Sequence, residues 1–278
     1  MRSDAQVAEG VAVARDYYDS DEADGFYSAI WGGEDIHIGL YDTTSDIREA
    51  SRQTVDRLAG KLGDIAGRRV VDLGSGYGGA ARVLAREHGA HVTCLNLSTV
   101  ENERNRRLTA EAGLSDRIDV VDGSYDDMPF ADASFDIAMS QDAILHAPDR
   151  RAVLDEVARV LRPGGLFAFH DPMQADGLQD PGALQPIYDR IHLPDLASIG
   201  FYRRELTARS FEEVETELLT HQLGRHYARV REELLARAGE LDLPDDFVTR
   251  MAAGLEHWVE GAANGNLRWA IMTYRKLR

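Results

Sequence analysis

The sequence predicts an α/β fold: a seven-stranded, mostly parallel sheet with helices on both faces and helical insertions forming a lid over one end. Three observations carry that prediction. From Arg69 onward, short apolar runs of β type alternate with stretches of helical spacing. The first run, Val70-Val71-Asp72-Leu73, passes directly into Gly74-Ser75-Gly76-Tyr77-Gly78-Gly79, with a good helix former from Ala80 to Arg86 behind it. The chain then closes on an alternating segment, Leu267 to Arg275, suited to a last strand.

Taken in order, residues 4–19 and 46–63 have helical apolar spacing, with Thr44 or Ser45 placed to cap the second helix. Between them, Gly25 to Tyr41 is too aromatic for an ordinary linker and too rich in glycine for an unbroken helix, the composition of a loop covering a ligand. Strands are predicted at 69–73, 91–95, 118–121, 135–139 and 165–170, with helices near 78–88, 99–112 and 149–160. Arg162-Pro163-Gly164-Gly165 reads as the turn into the fifth strand. After Asp171-Pro172 come short helices to about 210, an apolar run at 214–220, and helices at 225–238 and 245–262. The predicted units are a helical cap (1–66), a ligand-binding core (67–172), a lid insertion with the sixth strand (173–220) and a helical insertion with the last strand (221–278). The lid would lie over the strand C-termini, where open α/β sheets bind ligands.

Composition narrows the function. Aspartate and glutamate outnumber lysine and arginine by 48 to 31, a formal charge of −17 that repels phosphate backbones, so no nucleic-acid partner is expected. Lysine occurs only at Lys61 and Lys276, leaving nearly all positive charge on arginine, as in proteins from saline habitats or from GC-rich genomes. Cys94 is the sole cysteine, which provides no disulfide framework and fits a reducing cytoplasm. No stretch reaches the length of a membrane span, and no His/Asp/Glu cluster has metal-ligand spacing, so neither a membrane nor a metal is expected.

The chemistry-bearing positions begin at the glycine turn. Gly74 and Gly76 let the backbone, with Ser75 between them, come close to a ligand, and the following helix offers its free N–H groups. At the end of the second strand Asn96, followed by Leu97, stands where cofactor-binding sheets place an acid to grip ribose hydroxyls. Its amide accepts one hydroxyl hydrogen bond and donates another; it equally suits a cap for the helix near Thr99. Glycine spacing alone also fits a nicotinamide-dependent oxidoreductase, though that class more often keeps the acid.

The run Asp72-Leu73-Gly74-Ser75-Gly76-Tyr77-Gly78-Gly79 resembles motif I of class I S-adenosylmethionine-dependent methyltransferases. Asp122-Gly123-Ser124-Tyr125-Asp126-Asp127-Met128-Pro129-Phe130 resembles the segment those enzymes fold around adenine, with Ser124 where the pattern has Asp. Ser124 would accept from the exocyclic amine, Tyr125 would pack on the ring, and Gln141 would meet the methionine end of the donor. A narrower resemblance lies in Gly32 to Tyr41, Cys94-Leu95-Asn96-Leu97, Ser140 to His146 and Gly254 to Gly261, which look like the sarcosine/dimethylglycine N-methyltransferases. The resemblance implies a Rossmann-like fold and stepwise methyl transfer to sarcosine and dimethylglycine, with S-adenosylhomocysteine as co-product and glycine betaine, a compatible solute, as the end. Rival readings are a small-molecule C- or O-methyltransferase of natural-product or lipid metabolism, whose pocket would be wide and apolar, and a non-catalytic module that binds the donor.

An amine must lose its proton before it attacks, either in solvent or to a base, and His146 and His37 are the candidates. Arg190 and Arg203 suit the carboxylate of a small amino-acid-like substrate. Tyr27, Trp31, Tyr41 and Tyr202 could offer aromatic faces to a methylated ammonium.

Overall fold

The structure, a computed structural model, describes residues 30–278 apart from Gly32, His192 and Asp242. The helix predicted at 4–19 and Tyr27 lie outside the described residues. Helix α1 (Ile47–Leu62) starts where the Asp46 carboxylate accepts from the Glu49 amide at 2.8 Å and stops at Gly63, φ 72°. The cap is therefore Asp46, not Thr44 or Ser45. Thr44 braces it instead, accepting from the Asp46 amide at 3.1 Å while donating to Glu49 at 2.7 Å.

Strands β1 (Arg69–Leu73), β2 (His91–Asn96), β3 (Ile118–Asp122), β4 (Phe135–Gln141) and β5 (Leu161–Gln174) are parallel. Strand β7 (Leu267–Lys276) runs antiparallel between β5 and β6 (Phe211–Leu218), giving the order β3-β2-β1-β4-β5-β7-β6. The helices are α2 (Gly79–His88), α3 (Thr99–Glu111), α4 (Arg150–Val160), α5 (Gln185–Arg190), α6 (Ile199–Ala208), α7 (Thr220–Arg237) and α8 (Asp245–Ala263). Because the sheet is covered on both faces, the central strands read as unbroken apolar runs. Val70 packs into the layer with Leu58, Leu84 and Trp269, whereas its neighbour Val71 faces Leu154 and Phe167. The chain leaves β1 toward β2 and later returns on β1's other side as β4. That reversal opens a crevice beyond the C-terminal ends of β1 and β4.

Three boundaries differ from expectation. Strand β5 begins at Leu161, before the predicted turn. Leu161 pairs with Phe135 and Leu166 with Ile137, so Arg162 to Gly165 bulge out within the strand, and Arg162 meets Asp136 there. Strand β6 starts at Phe211, whose buried ring anchors it. Helix α7 starts at Thr220 rather than 225, where the threonine hydroxyl accepts from the Trp269 amide at 3.2 Å. As the outer strand, β6 carries Glu212, Glu213, Glu215 and Glu217. Lys61 meets Glu215 and Glu217, Arg57 meets Glu217, and Arg203 meets Glu213.

Candidate active site

The turn after β1 uses three left-handed glycines, Gly74, Gly76 and Gly78, at φ 73°, 51° and 75°. The Gly74 and Ser75 amides both donate to the Leu95 carbonyl, at 2.8 and 3.3 Å, which folds the turn over the end of β2. A Cβ on Gly74 would lie 2.4 Å from that of Ala143. The glycine is thus needed for close approach of the two loops that border the crevice, as well as for its φ.

A cleft of about 840 Å³ opens there, lined by Asn96, Leu97, Ser124, Tyr125, Gln141 and His146 among others. A smaller cavity of about 350 Å³ is lined by Asp35, His37, Asp72, Ser75 and Gln141. Ile36, Gly74, Gly76 and Gln141 border both, so the two adjoin at Gln141. All nine positions expected to hold a cofactor therefore line one space or the other. The Asn96 amide donates to Glu101 at 2.7 Å, which commits its N–H side and leaves the carbonyl oxygen as an acceptor. Helix α3 is capped by Ser98, which accepts from the Glu101 amide at 3.2 Å, so Asn96 is not the cap. The Ser124 hydroxyl donates to Asp126, and its oxygen retains lone pairs for an incoming N–H. The Tyr125 hydroxyl donates to the Ala143 carbonyl at 3.1 Å, fixing its ring along the wall. Asp72 is buried, and its carboxyl is pushed up to about 7, first by burial and then by the neighbouring charge of Asp35. A bound cation would restore its ionisation.

Two residues that the sequence did not single out organise the crevice. Asp142, at φ 50°, accepts from the Ile38 amide at 2.7 Å, from His170 Nδ1 at 2.8 Å and from Trp269 Nε1 at 2.9 Å. Burial opposes its charge, yet His170 and these donors together hold the carboxyl below its usual 3.8. His226, fully buried on α7, accepts at Nδ1 from the Gly39 amide at 3.1 Å. The Tyr41 hydroxyl lies 2.9 Å from the same nitrogen. Gln222, one turn earlier, accepts from the Tyr41 amide at 2.8 Å. Residues 36–41 thus form a strap held by β4 on one side and α7 on the other.

The strap presents His37. Its ring is buried, its Nδ1 lies 3.3 Å from the Ile38 carbonyl, and its Nε2 has no hydrogen-bond partner, the nearest carboxylate oxygen being that of Asp35 at 3.8 Å. Burial, the largest influence, lowers its pKa below 6.5. His146 sits on a single 3-10 turn, Ile144–His146, and is pushed down to about 4 by burial and then by Arg150.

The expected substrate residues separate into two groups. Trp31 is buried against the strap, and Tyr41 is its buried last residue. The Trp31 indole N–H donates to the His37 carbonyl at 3.3 Å, and its ring lies edge-on to His226 at 4.9 Å. Tyr202 and Arg203 lie apart from both cavities. On α6, Tyr202 faces inward, and its hydroxyl donates at 2.7 Å to the buried Asp171, whose carboxyl burial pushes up to about 8. The next residue, Arg203, points outward, its guanidinium forked on Glu213 at 2.7 and 3.0 Å. Arg190 lies between α5 and α8, with its guanidinium 2.8 Å from Met251 Sδ and its stem against Gly254. None of Trp31, Tyr41, Tyr202, Arg203 and Arg190 lines either cavity. Among the described residues, no group of three or more His, Cys, Asp or Glu is placed to hold a metal ion, and no helix is long and apolar enough to cross a membrane.

Comparison with known proteins identifies the family. The methyltransferase domain family matches residues 71–169, from β1 through most of β5. The sarcosine/dimethylglycine N-methyltransferase of Halorhodospira halochloris is 50% identical over 274 residues, covering 96% of this chain and 97% of that protein. The enzyme of the same description from Aphanothece halophytica is 48% identical over 267 residues, covering 95% and 96%. A crystal structure from Galdieria sulphuraria, assigned as a sarcosine dimethylglycine methyltransferase, superposes with a TM-score of 0.87 at 43% identity, over 92% of this chain and 98% of that one. With near-full-length identity of this order and the same sheet, the chain belongs to the sarcosine/dimethylglycine N-methyltransferase family.

Proposed function

We propose that the protein transfers methyl groups from S-adenosylmethionine to the nitrogen of sarcosine and dimethylglycine, ending in glycine betaine. The observation that carries this reading is the paired cavity. A nucleoside-sized cleft meets a small polar chamber at Gln141, and the chamber contains a buried imidazole nitrogen with no partner. The polar space bordered by Asp35 and His37, which adjoins the donor positions Asp72 and Gln141, suits a compact zwitterion and opposes a large apolar acceptor.

The residues fit the donor. The Asn96 carbonyl oxygen is free for ribose hydroxyls, because its amide N–H is held by Glu101. Ser124 and Tyr125 border the place for a base, and the buried Asp72 offers a carboxyl to an ammonium. When bound, S-adenosylmethionine supplies a methyl group already activated on a sulfonium. The protein's remaining tasks are alignment and deprotonation. Asp142, by holding Ile38 and His170, fixes the strap and the end of β5 against each other, so the two chambers keep their relative placement. His37 takes the ammonium proton at Nε2. An ammonium of pKa about 10 in water would resist a neutral imidazole, but burial lowers the ammonium's own affinity for its proton as well. Trp31 and Tyr41 support the reading by bracing the strap that carries His37, through the His37 carbonyl and through Gln222. His146 lines the donor side. The acidic composition and the single free cysteine support a soluble cytoplasmic role in a saline cell.

Incubating the protein with methyl-labelled donor and, separately, glycine, sarcosine or dimethylglycine should yield labelled products of the expected mass from the last two. No transfer to either would overturn the reading. In the pH–rate profile, His37 is a base only when neutral, so the rate rises with pH through its lowered pKa. His37→Asn should remove that limb and cut the rate about 100-fold. An unchanged profile would show that solvent takes the proton.

A further inference from the structure

Strands β4 and β5 lie side by side where the two cavities adjoin, and their register sets Gln141 directly opposite His170. Side chains paired in this way share one face of the sheet and reach each other. The His170 ring is fully buried, edge-on to the rings of His37 at 5.5 Å and Trp269 at 5.1 Å. Its two nitrogens face two acceptors: Nδ1 lies 2.8 Å from the Asp142 carboxylate and Nε2 lies 3.3 Å from Gln141 Oε1.

A carboxylate and an amide oxygen only accept, so the ring donates from both sides. A ring with both protons also supplies the counter-charge that the buried Asp142 carboxylate needs, since its other partners, the Ile38 amide and the Trp269 indole, are neutral. The hydrogen bonds of the ring thereby assign the two ends of the Gln141 amide. With Oε1 turned to His170, the N–H2 is the end left for the cavities, and Gln141 borders both of them.

Both ligands of the reaction proposed above, S-adenosylmethionine and the amino-acid acceptor, carry a carboxylate. Among the described residues, neither cavity is lined by a lysine or an arginine, whereas Asp35, Asp72 and Glu101 bring acid to the walls. A carboxylate entering there needs neutral donors, and the Asn96 amide is already committed to Glu101. Resting on the amino-acid methyltransferase reading, we propose that His170 is a positioning residue that holds Gln141 by its carbonyl, so that the Gln141 N–H2 meets a ligand carboxylate where the cavities adjoin. Gln141 makes the contact, and His170 fixes which end of the amide is offered. Released from the ring, the amide can turn end for end, and its oxygen would repel the carboxylate.

His170→Asn is the test, since the asparagine amide reaches the place of Nδ1 and keeps an N–H for Asp142, with nothing at Nε2 for Gln141. Gln141→Leu removes the amide outright, and the two are combined in a double variant. The readouts are the Kd of S-adenosylhomocysteine, the Kd of methylthioadenosine, which lacks the amino-acid end, and KM for dimethylglycine. Each single substitution should weaken one carboxylate-bearing ligand on the order of 10-fold, and the double variant should be no weaker than Gln141→Leu alone. Loss on S-adenosylhomocysteine with methylthioadenosine held within about twofold identifies the donor's carboxylate; a raised KM with both nucleosides within about twofold identifies the acceptor's. Full affinity in His170→Asn, equal losses on the two nucleosides, or losses that add in the double variant would overturn the proposal. Should His170→Asn not fold, the Gln141 side-chain N–H2 resonances of 15N-labelled wild-type protein should move with S-adenosylhomocysteine, or with dimethylglycine added after it, more than with methylthioadenosine; equal shifts, or none, overturn it too. If wild-type protein methylates neither sarcosine nor dimethylglycine, the functional reading has failed, while the S-adenosylhomocysteine arm still decides the orientation of Gln141.

Discussion

Replacing Asp142 with alanine should unfold the protein about 10 °C earlier and lower methyl transfer at least about 100-fold. The side chain serves three donors from distant parts of the chain: the Ile38 amide, His170 Nδ1 and Trp269 Nε1. Truncation leaves all three buried without an acceptor, a loss of about 3–5 kcal/mol, and in a domain of this size each kcal/mol moves the midpoint by about 2–4 °C. It also unties the strap from β4, so the loss of activity should exceed the loss of fold at temperatures where the variant is still native. Asp142→Asn should fall between, because it retains one acceptor oxygen and turns an N–H toward one of the donors. The sign of the pH effect follows from the lowered pKa. The stabilisation by the carboxylate is complete above about pH 4 and disappears as pH falls through the folded value. Thermal melts of both variants with parallel rate measurements check this. A D142A protein with an unaltered midpoint and full activity would refute it.

Gly74→Ala should abolish donor binding, with S-adenosylhomocysteine affinity falling about 100-fold or more by calorimetric titration. At φ 73° an alanine carries about 1–2 kcal/mol of backbone strain, and its methyl would lie 2.4 Å from Ala143 Cβ. Relief requires the Ala143 loop to retreat, taking with it the carbonyl that holds Tyr125 and the neighbouring Gln141. Gly60→Ala, on α1 with nothing near the added Cβ, is the matched control and should be neutral or stabilising by about 0.5–1 kcal/mol. Similar affinities in the two variants would show that the turn tolerates displacement.

What the sequence disclosed depended on how local each feature is. The strand-end side of the crevice is built from contiguous strand-to-loop junctions after β1, β2, β3 and β4, so Asp72, Asn96, Ser124 and Gln141 were readable from motif and order alone as positions that line it. The strap side is assembled from residues far apart in the chain. Asp142 matters through Ile38 and Trp269, and His226 through Gly39, partners that no local pattern connects. Tyr202 and Arg203 show a finer limit. A short aromatic-basic run marks a helix but not its rotation, and one residue's turn places the tyrosine on Asp171 and the arginine in solvent. The early start of β5 was hidden because Pro163 and Gly164 are the residues of a turn and, equally, of a bulge.

The outermost strand of the sheet bears on how the protein withstands crowding. An exposed strand margin invites a neighbouring molecule to extend the ladder, and on β6 such stacking would align Glu212, Glu213, Glu215 and Glu217 with another row of carboxylates. Arg57, Lys61 and Arg203 already offset three of these charges, and at molar ionic strength the Debye length shrinks to about 3 Å and the carboxylates lose their reach. What persists is shape: the irregular pairing between Glu213 and Glu215 interrupts the flat run of amides that an added strand would need. In brine, therefore, contour rather than charge keeps the sheet from propagating between molecules.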